Sequence, residues 1–554
     1  MSTSRFDDLL TQLGTGKWNV LYFLTSSYWC LLVPPQFISG VYLAPTLNYT
    51  CRPPLGHDLD VARDSCSYTV NRSSSGALEE EPCTEWDFDT SVFSNTLTSE
   101  FSLVCSREHL RATYQGVYML GTFLSPLLGG YLADRYGRRV VVVTTQAVTV
   151  ATSVGLCFLS NLTAILVVRF FMGSVNLLTL FIYAMEVCEP KHRGTVGILT
   201  GLPWALGTMA WGGVAYFIRD WRYLQAAVSL PTLLIFIPLY FMDESPRWLI
   251  VNGHHERALA ILQKAARWNN ATLPPEEDLR ALMKIIQEES STPIKAAEPS
   301  KEAMEESRKR CSCSPSLPSL ISTRAVTLVT VVVCLDFFAV SLVFDGLNLS
   351  GDNYSADPFL YIILGGLMEV PGYSLTAPII DRWGRKIPTA VSYILCGLLL
   401  LLLAFIPSGS GSWVVVSLAM GGKVCISGAY QIIYVYASEL FPTEVRLQGI
   451  GAASEFAQLA STILPYITTY LGPLVPWVPS AIFAAVAFIA GFLTLALRET
   501  AGRPLPDTIT DLAHISSSRT REKSSEVSEM EKMNIEVSET EKTSSTVLET
   551  ENKV

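Results

Sequence analysis

Six ionisable side chains interrupt the apolar stretches of this 554-residue chain: Arg169, Asp336, Asp345, Glu369, Lys423 and Glu455. A charge in hydrocarbon is expensive, so each reads as half of an internal ion pair or as a contact for a charged ligand. A carboxylate in a low-dielectric cavity attracts ammonium or guanidinium groups, and aromatic rings beside it add cation–π attraction for a quaternary ammonium. Such rings are Trp204, Phe337, Phe338, Phe344, Tyr430 and Tyr434, although rings at helical spacing also serve as plain packing. This chemistry recognises a small charged molecule and breaks no bond. The histidines, His57, His109, His192, His254, His255 and His514, have no metal-ligand spacing, and no phosphate-cradling glycine loop is present. No enzyme activity, metal, cofactor or nucleic-acid partner is expected.

The elements that must hold these residues follow from composition. With 49% hydrophobic residues, 16% charged residues and a mean hydropathy of +0.33, the chain belongs in a bilayer. Twelve runs are long enough to span one: 20–43, 112–133, 141–159, 162–184, 196–218, 223–242, 326–347, 358–380, 388–406, 413–436, 447–470 and 475–497. The first carries Pro34, Pro35 and Gln36 and lacks a small-residue cleavage site, so it reads as a retained span. The short loops 134–139, 185–195, 381–387 and 437–446 hold nine basic residues, against Arg219 and Arg222 on the other side. Lys and Arg favour the cytoplasmic side, which puts both termini there.

The chain is doubled. Gly130–Arg139, GYLADRYGRR, returns 247 positions later as APIIDRWGRK, and Glu186 with Arg193 returns 253 positions later as Glu439 with Arg446. Duplicated polytopic halves with a site between them are the construction of secondary transporters. In each repeat Asp134 or Asp381 can accept hydrogen bonds from a helix end. The arginines Arg135, Arg138, Arg382 and Arg385 can reach carboxylates on the facing bundle, with Glu186 and Glu439 as partners beside Arg193 and Arg446. The expectation is a gating latch that makes and breaks ion pairs.

The divisions expected are a cytoplasmic amino terminus at 1–19, a six-helix bundle at 20–242 that includes an extracellular loop at 44–111, and a cytoplasmic central loop at 243–325. A second bundle at 326–497 and a disordered cytoplasmic tail at 498–554 complete the chain. The loop holds Cys51, Cys66, Cys83 and Cys105, whose even number outside the cell favours two disulfides with three pairings open. Sequons place glycans at Asn48 and Asn71, and at Asn348 and Asn353 in the loop after the seventh run; the sequon at Asn270 falls in the cytosol and stays bare. In the central loop, 258–262 and 279–286 have helical apolar spacing, and a polar stretch at 287–319 carries Cys311 and Cys313.

The doubled Asp-Arg-x-Gly-Arg loops on twelve runs resemble the major facilitator superfamily. Trp86-Asp87-Phe88-Asp89, Phe101–Cys105, Glu244–Leu249 and Glu439–Arg446 narrow the resemblance, over about 6–508, to the organic cation, anion and carnitine transporter family. Glu499-Thr500, Leu505–Thr508 and Ala266–Asn269 look most like its carnitine branch. The resemblance implies an all-α fold of two pseudo-symmetric six-helix bundles. It also puts an acidic cavity residue at Glu369, a basic one at Lys423 and an aromatic at Phe344. Where the family tends to place Asp in cation carriers and Arg in anion or carnitine carriers, this chain has Gln458, with Glu455 one turn earlier.

The reading is therefore a polyspecific plasma-membrane carrier of small organic cations or carnitine-like zwitterions working by alternating access, with or without a coupling ion. The candidate substrate contacts are Glu369, Gln458, Glu455, Lys423, Phe344, Asp345, Tyr430, Tyr434 and Trp204. Organic anion exchange is the alternative within the class. A transport-inactive receptor or adhesion scaffold is the alternative outside it.

Overall fold

Every apolar run becomes helix, and several are interrupted where proline enters. The structure is a computed structural model that describes residues 5–52, 66–71, 78–175, 179–291, 320–355, 357–406, 412–472, 475–502, 506 and 508–512. Among the described residues six helices are each long and apolar enough to cross a bilayer: Arg138–Leu156, Trp221–Phe241, Arg324–Leu349, Pro358–Trp383, Lys386–Phe405 and Trp413–Leu440. Cys105–Pro126 and Leu128–Tyr136 make a seventh if the 42° bend between them lies within one span. The other runs are met by Lys17–Phe37, Leu162–Val175 with Thr179–Glu186, Arg193–Leu199 with Gly201–Phe217, Arg446–Tyr466 and Val478–Thr494. Proline removes a backbone donor and crowds the preceding turn. Pro34 and Pro35 accordingly lie just before the end of the first span, and Pro465 just before a π-turn at Ile467–Leu471.

The two halves meet along two seams. Gly201–Phe217 packs on Pro358–Ser374, and His109–Tyr136 packs on Arg446–Tyr466. In the first seam the backbones approach closely enough that a Cβ on Gly366 would stand 2.8 Å from the Ala205 carbonyl. At one end of this seam Phe359 is ringed by Tyr42, Phe93 and Tyr216, with centroid distances of 5.3, 5.5 and 5.9 Å, and Tyr42 Oη donates to the Pro358 carbonyl at 3.1 Å. Among the described residues no ion pair joins the halves.

The segment after the first span carries two small antiparallel ribbons. Tyr49–Cys51 pairs with Trp86–Phe88, and Ser67–Asn71 with Leu78–Pro82. Disulfides join Cys51 to Cys83 and Cys66 to Cys105, which resolves the pairing that sequence left open. Asn48 is exposed beside the first ribbon. Asn348 does not fit its expected role as a glycan acceptor in a loop. It lies inside Arg324–Leu349, is 3% exposed and accepts a hydrogen bond from Lys423, so a glycan has no room there.

At the opposite face the helices Pro246–Val251, His255–Asn269 and Glu276–Ser291 cover the first half together with Arg5–Leu13, which buries Phe6, Leu9 and Leu10 against Leu249, Leu262 and Met283. Asn269 clasps the assembly. Its amide donates to the carbonyls of Leu13 and Gly14 and to Asn19 Oδ1, and its oxygen accepts from Trp18 N at 3.1 Å. Residues 292–319, with Cys311 and Cys313, the tail beyond 512, and His57 lie outside the described residues.

Candidate functional site

The second half gathers most of the singled-out residues around one buried ammonium. Phe337, Ser341, Phe344, Asp345 and Asn348 share a face of Arg324–Leu349 because they recur at three- and four-residue spacing. Lys423, Ser427, Tyr430 and Tyr434 do the same on Ser412–Leu440. Lys423 Nζ stands 3.0 Å from Glu369 Oε1, with side-chain exposures of 2% and 0%. The contact is an ion pair by distance and lacks hydrogen-bond directionality at Oε1. The same Nζ donates to Asn348 Oδ1 at 2.8 Å and to the Phe344 carbonyl at 3.3 Å, and lies 3.4 Å from the Phe344 ring centroid. Tyr373 Oη donates to the other Glu369 oxygen at 3.4 Å.

Asp345 accepts from Ser461 Oγ at 2.6 Å and Ser341 Oγ at 3.3 Å. With one ammonium and two carboxylates, the cluster carries a formal charge of −1. An aromatic chain leads away from it: Phe344 to Tyr430 at 5.4 Å, Tyr430 to Tyr434 at 5.7 Å and Tyr434 to Phe337 at 4.7 Å. Phe338 has no place in this ring chain and is partly buried against the main hydrophobic core.

Gln458 sits at the seam between halves, where its Oε1 accepts from Thr122 Oγ1 at 3.0 Å. One turn away Glu455 is half-buried, and its Oε2 has no hydrogen-bond partner among the described residues. No hydrogen bond or ion pair links Glu455 to Glu369 or Lys423 among the described residues. Trp204, across the seam, is edge-on to Phe37 at 5.6 Å, and its indole N–H is likewise without a partner. Asp336 lies apart, bonded to Thr494 Oγ1 at 3.0 Å, and Arg169 is buried in the first half with no carboxylate paired to it among the described residues.

The doubled charged corners form two networks, each closed within its own half. Arg138 pairs with Asp134 at 2.8 Å and Glu186 at 3.1 Å, and Ser245 Oγ donates to Glu186 at 2.6 Å. Arg385 pairs with Glu439 at 3.1 Å, and Thr500 Oγ1 donates to Glu439 at 2.5 Å. The expected reach to the facing bundle is thus corrected, because Arg138 and Arg385 find their carboxylates on span ends of their own halves. Arg193 pairs with Asp7 at 2.7 Å instead of Glu186, and Arg446 donates to the Phe441 carbonyl and Thr443. Arg135 is exposed and donates to Tyr131 Oη, and Asp381 and Arg382 are exposed at the surface.

Two carboxylates at these corners, named in the sequence only as family markers, have a capping role that was not read there. Glu244 accepts from the backbone N–H groups of Arg138 and Arg139, and Glu499 from those of Arg385 and Lys386, so each caps the positive start of the following span. Burial alone would raise the Glu499 carboxyl, but the N–H donors of Arg385, Ala501, Lys386 and Thr500 outweigh it and hold it below its ordinary value. The caps press on glycines with positive φ, Gly137 at +98° and Gly384 at +79°, where a Cβ would stand 2.5 Å from Glu244 and 2.7 Å from Glu499. The signal was available: Glu244-Ser245 and Glu499-Thr500 stand 255 positions apart, close to the offsets of the other two repeats.

Two seamed halves with matching charged corners and a buried polar cluster define a transporter of the major facilitator type. Residues 84–511 match the family model described as sugar (and other) transporter. The inward-facing, partially occluded xylose transporter XylE from E. coli aligns with a TM-score of 0.58 at 16% identity, covering 87% of this chain and 99% of that one. The twelve-helix fold is therefore the major facilitator fold. The chain belongs to the organic cation, anion and carnitine transporters of this superfamily. It is 30% identical to solute carrier family 22 member 6 of Mus musculus, over 95% of this chain and 97% of that protein. It is 28% identical to the organic cation transporter protein of Drosophila melanogaster, over 91% and 94%, and 28% identical to organic cation/carnitine transporter 2 of Homo sapiens, over 92% and 94%. It is a multi-pass membrane transporter, not an enzyme, and works by alternating access.

Proposed function

We propose that this protein carries small organic cations, and zwitterions of the carnitine kind, across the plasma membrane. The disulfide-bonded segment faces outward and both termini face the cytosol. The observation that carries the reading is the charge balance of the second half. Lys423 offsets Glu369 and leaves the carboxylate of Asp345 in excess, Glu455 adds another, and Gln458 brings no positive charge in return. A cation gains from that excess and from the Phe344, Tyr430 and Tyr434 rings. The names of the fly and human relatives, an organic cation transporter and an organic cation/carnitine transporter, support the same class.

In this reading the Glu369–Lys423 pair shapes the site, and Trp204 and Gln458 line the seam that opens and closes. The Asp134, Arg138, Glu186 and Arg385, Glu439 networks brace each half as it rocks. Uptake by cells expressing the chain, across tetraethylammonium, carnitine, ergothioneine and p-aminohippurate, tests it. Accumulation of p-aminohippurate alone would overturn the cation assignment in favour of anion exchange.

A further inference from the structure

We propose that the outer end of the seam holds a second site, distinct from the Glu369–Lys423 cluster, at which a small amphipathic monocarboxylate binds from outside and arrests the carrier. A cavity of about 460 Å³ lies there, a size that takes a small organic molecule. Pro45, Phe93 and Arg111 wall it from the first half, and Leu349, Pro358 and Pro465 from the second. Gln115 and Pro465, both in its lining, each stand seven residues, about 10 Å of helix, from the partners in the Thr122–Gln458 hydrogen bond. At the level of the cavity the same two helices touch, since a Cβ on Gly116 would stand 3.0 Å from the Tyr466 ring. The cavity therefore lies about two helical turns outside the seam residues 122 and 458.

Its walls choose the ligand. Phe93, Leu349 and the prolines suit a hydrocarbon body, and the one cation in the lining is Arg111, whose side chain is 10% exposed. Arg111 donates to Thr46 Oγ1 and, at 3.1 Å, to Glu108, which leaves three of its five N–H groups uncommitted among the described residues. Glu108 is the more exposed partner, at 38%, and can turn to water when a ligand carboxylate takes its place. Asp89, exposed where it lines the cavity, disfavours a second anionic group on the ligand. Because both halves supply the walls, a motion that parts them at this end dismantles the cavity. A ligand that fits it binds the outwardly closed orientation more tightly and shifts the population toward that state. The arrest rests on the transport and outward placement proposed above, whereas the binding does not.

4-Phenylbutyrate is the probe and 4-phenylbutyramide its neutral control. In thermal unfolding of the purified full chain in detergent, the acid should give a saturable rise of about 2 °C at ten times its half-saturating concentration, and the amide should need about tenfold more. Arg111→Gln should raise the half-saturating concentration of the acid about tenfold. If that variant does not fold, Val92→Trp, at a 38%-exposed position of the lining, should fill the mouth and abolish the rise. Superimposable melts with and without the acid, equal potency of the amide, or a rise undiminished in Arg111→Gln or Val92→Trp would overturn the site, whatever the substrate. In cells, external acid should lower the maximal rate of tetraethylammonium uptake at unchanged KM, and Arg111→Gln should relieve it. Inhibition that excess substrate surmounts would put the acid in the substrate site and overturn the arrest.

Discussion

Removing Glu369, Lys423 or both separates a structural pair from a substrate contact. The two groups lie 3.0 Å apart and almost wholly buried, so losing one partner strands the other, which costs about 3–5 kcal/mol. Glu369→Gln should fall at the low end, because Lys423 keeps Asn348 and the Phe344 carbonyl. Lys423→Met should fall at the high end, because it leaves Glu369 and Asp345 with no cation. Combining the two removes both charges and should return stability to within about 1 kcal/mol of the parent, a coupling of about 7 kcal/mol. Thermal unfolding of the four proteins, with surface abundance alongside, measures this. Single effects that add to within about 0.5 kcal/mol would refute the reasoning. Tetraethylammonium uptake then completes the cycle: a pair that only shapes the site predicts recovery in the double variant. Stability restored without uptake would instead make Glu369 a contact for the substrate.

Gly137→Ala and Gly384→Ala should each lower stability by about 1–3 kcal/mol in a melt, since each forces a side chain into positive φ against a capping carboxylate. Gln458→Arg should lower the uptake ratio of tetraethylammonium to carnitine about tenfold or more, because a cation at the seam repels one substrate and offers the other a bidentate partner; an unchanged ratio would remove position 458 from the site. Asn48→Gln should sharpen the glycoprotein band and lower its apparent mass on a gel, while Asn348→Gln changes neither. Glu499 is held below its ordinary value of 4.5, so the stability it adds is present above that pH and is lost as pH falls through the lowered value. Melts of Glu499→Gln should accordingly be weaker at neutral pH and converge with the parent in acid.

Helices were legible because each apolar run is long and bounded by charge, and the doubled Asp-Arg-x-Gly-Arg loops gave the symmetry of the halves. Partners were less legible. Glu186 and Arg193 are seven residues apart in sequence, yet Arg193 turns to Asp7 on an amino-terminal helix whose short pattern gave little sign of docking. Asn348 matched a sequon, and only three-dimensional packing reveals that its amide belongs to Lys423. Glu369 and Lys423 were both visible as intramembrane charges, but their spacing of fifty-four positions carries no register from one span to another. Ser341 and Ser461 carried no signal by themselves, because a hydroxyl in an apolar helix more often bonds its own backbone.

No ion pair crosses the seam between the halves among the described residues, and its best-defined contact is Phe359 seated among Tyr42, Phe93 and Tyr216, with the Arg219 guanidinium 5.7 Å from the same ring. A motion that unseats aromatic rings trades dry contact for wetted or lipid-filled space, so it carries a change in volume and in heat capacity. It breaks no ion pair among the described residues, although it moves the Arg219 guanidinium off the Phe359 ring. The balance between the two orientations of the carrier should therefore respond to hydrostatic pressure, lateral bilayer tension and temperature, and stay nearly indifferent to the salt concentration that governs hinges built from ion pairs. Lipid composition thereby becomes a regulator of turnover that needs no binding site.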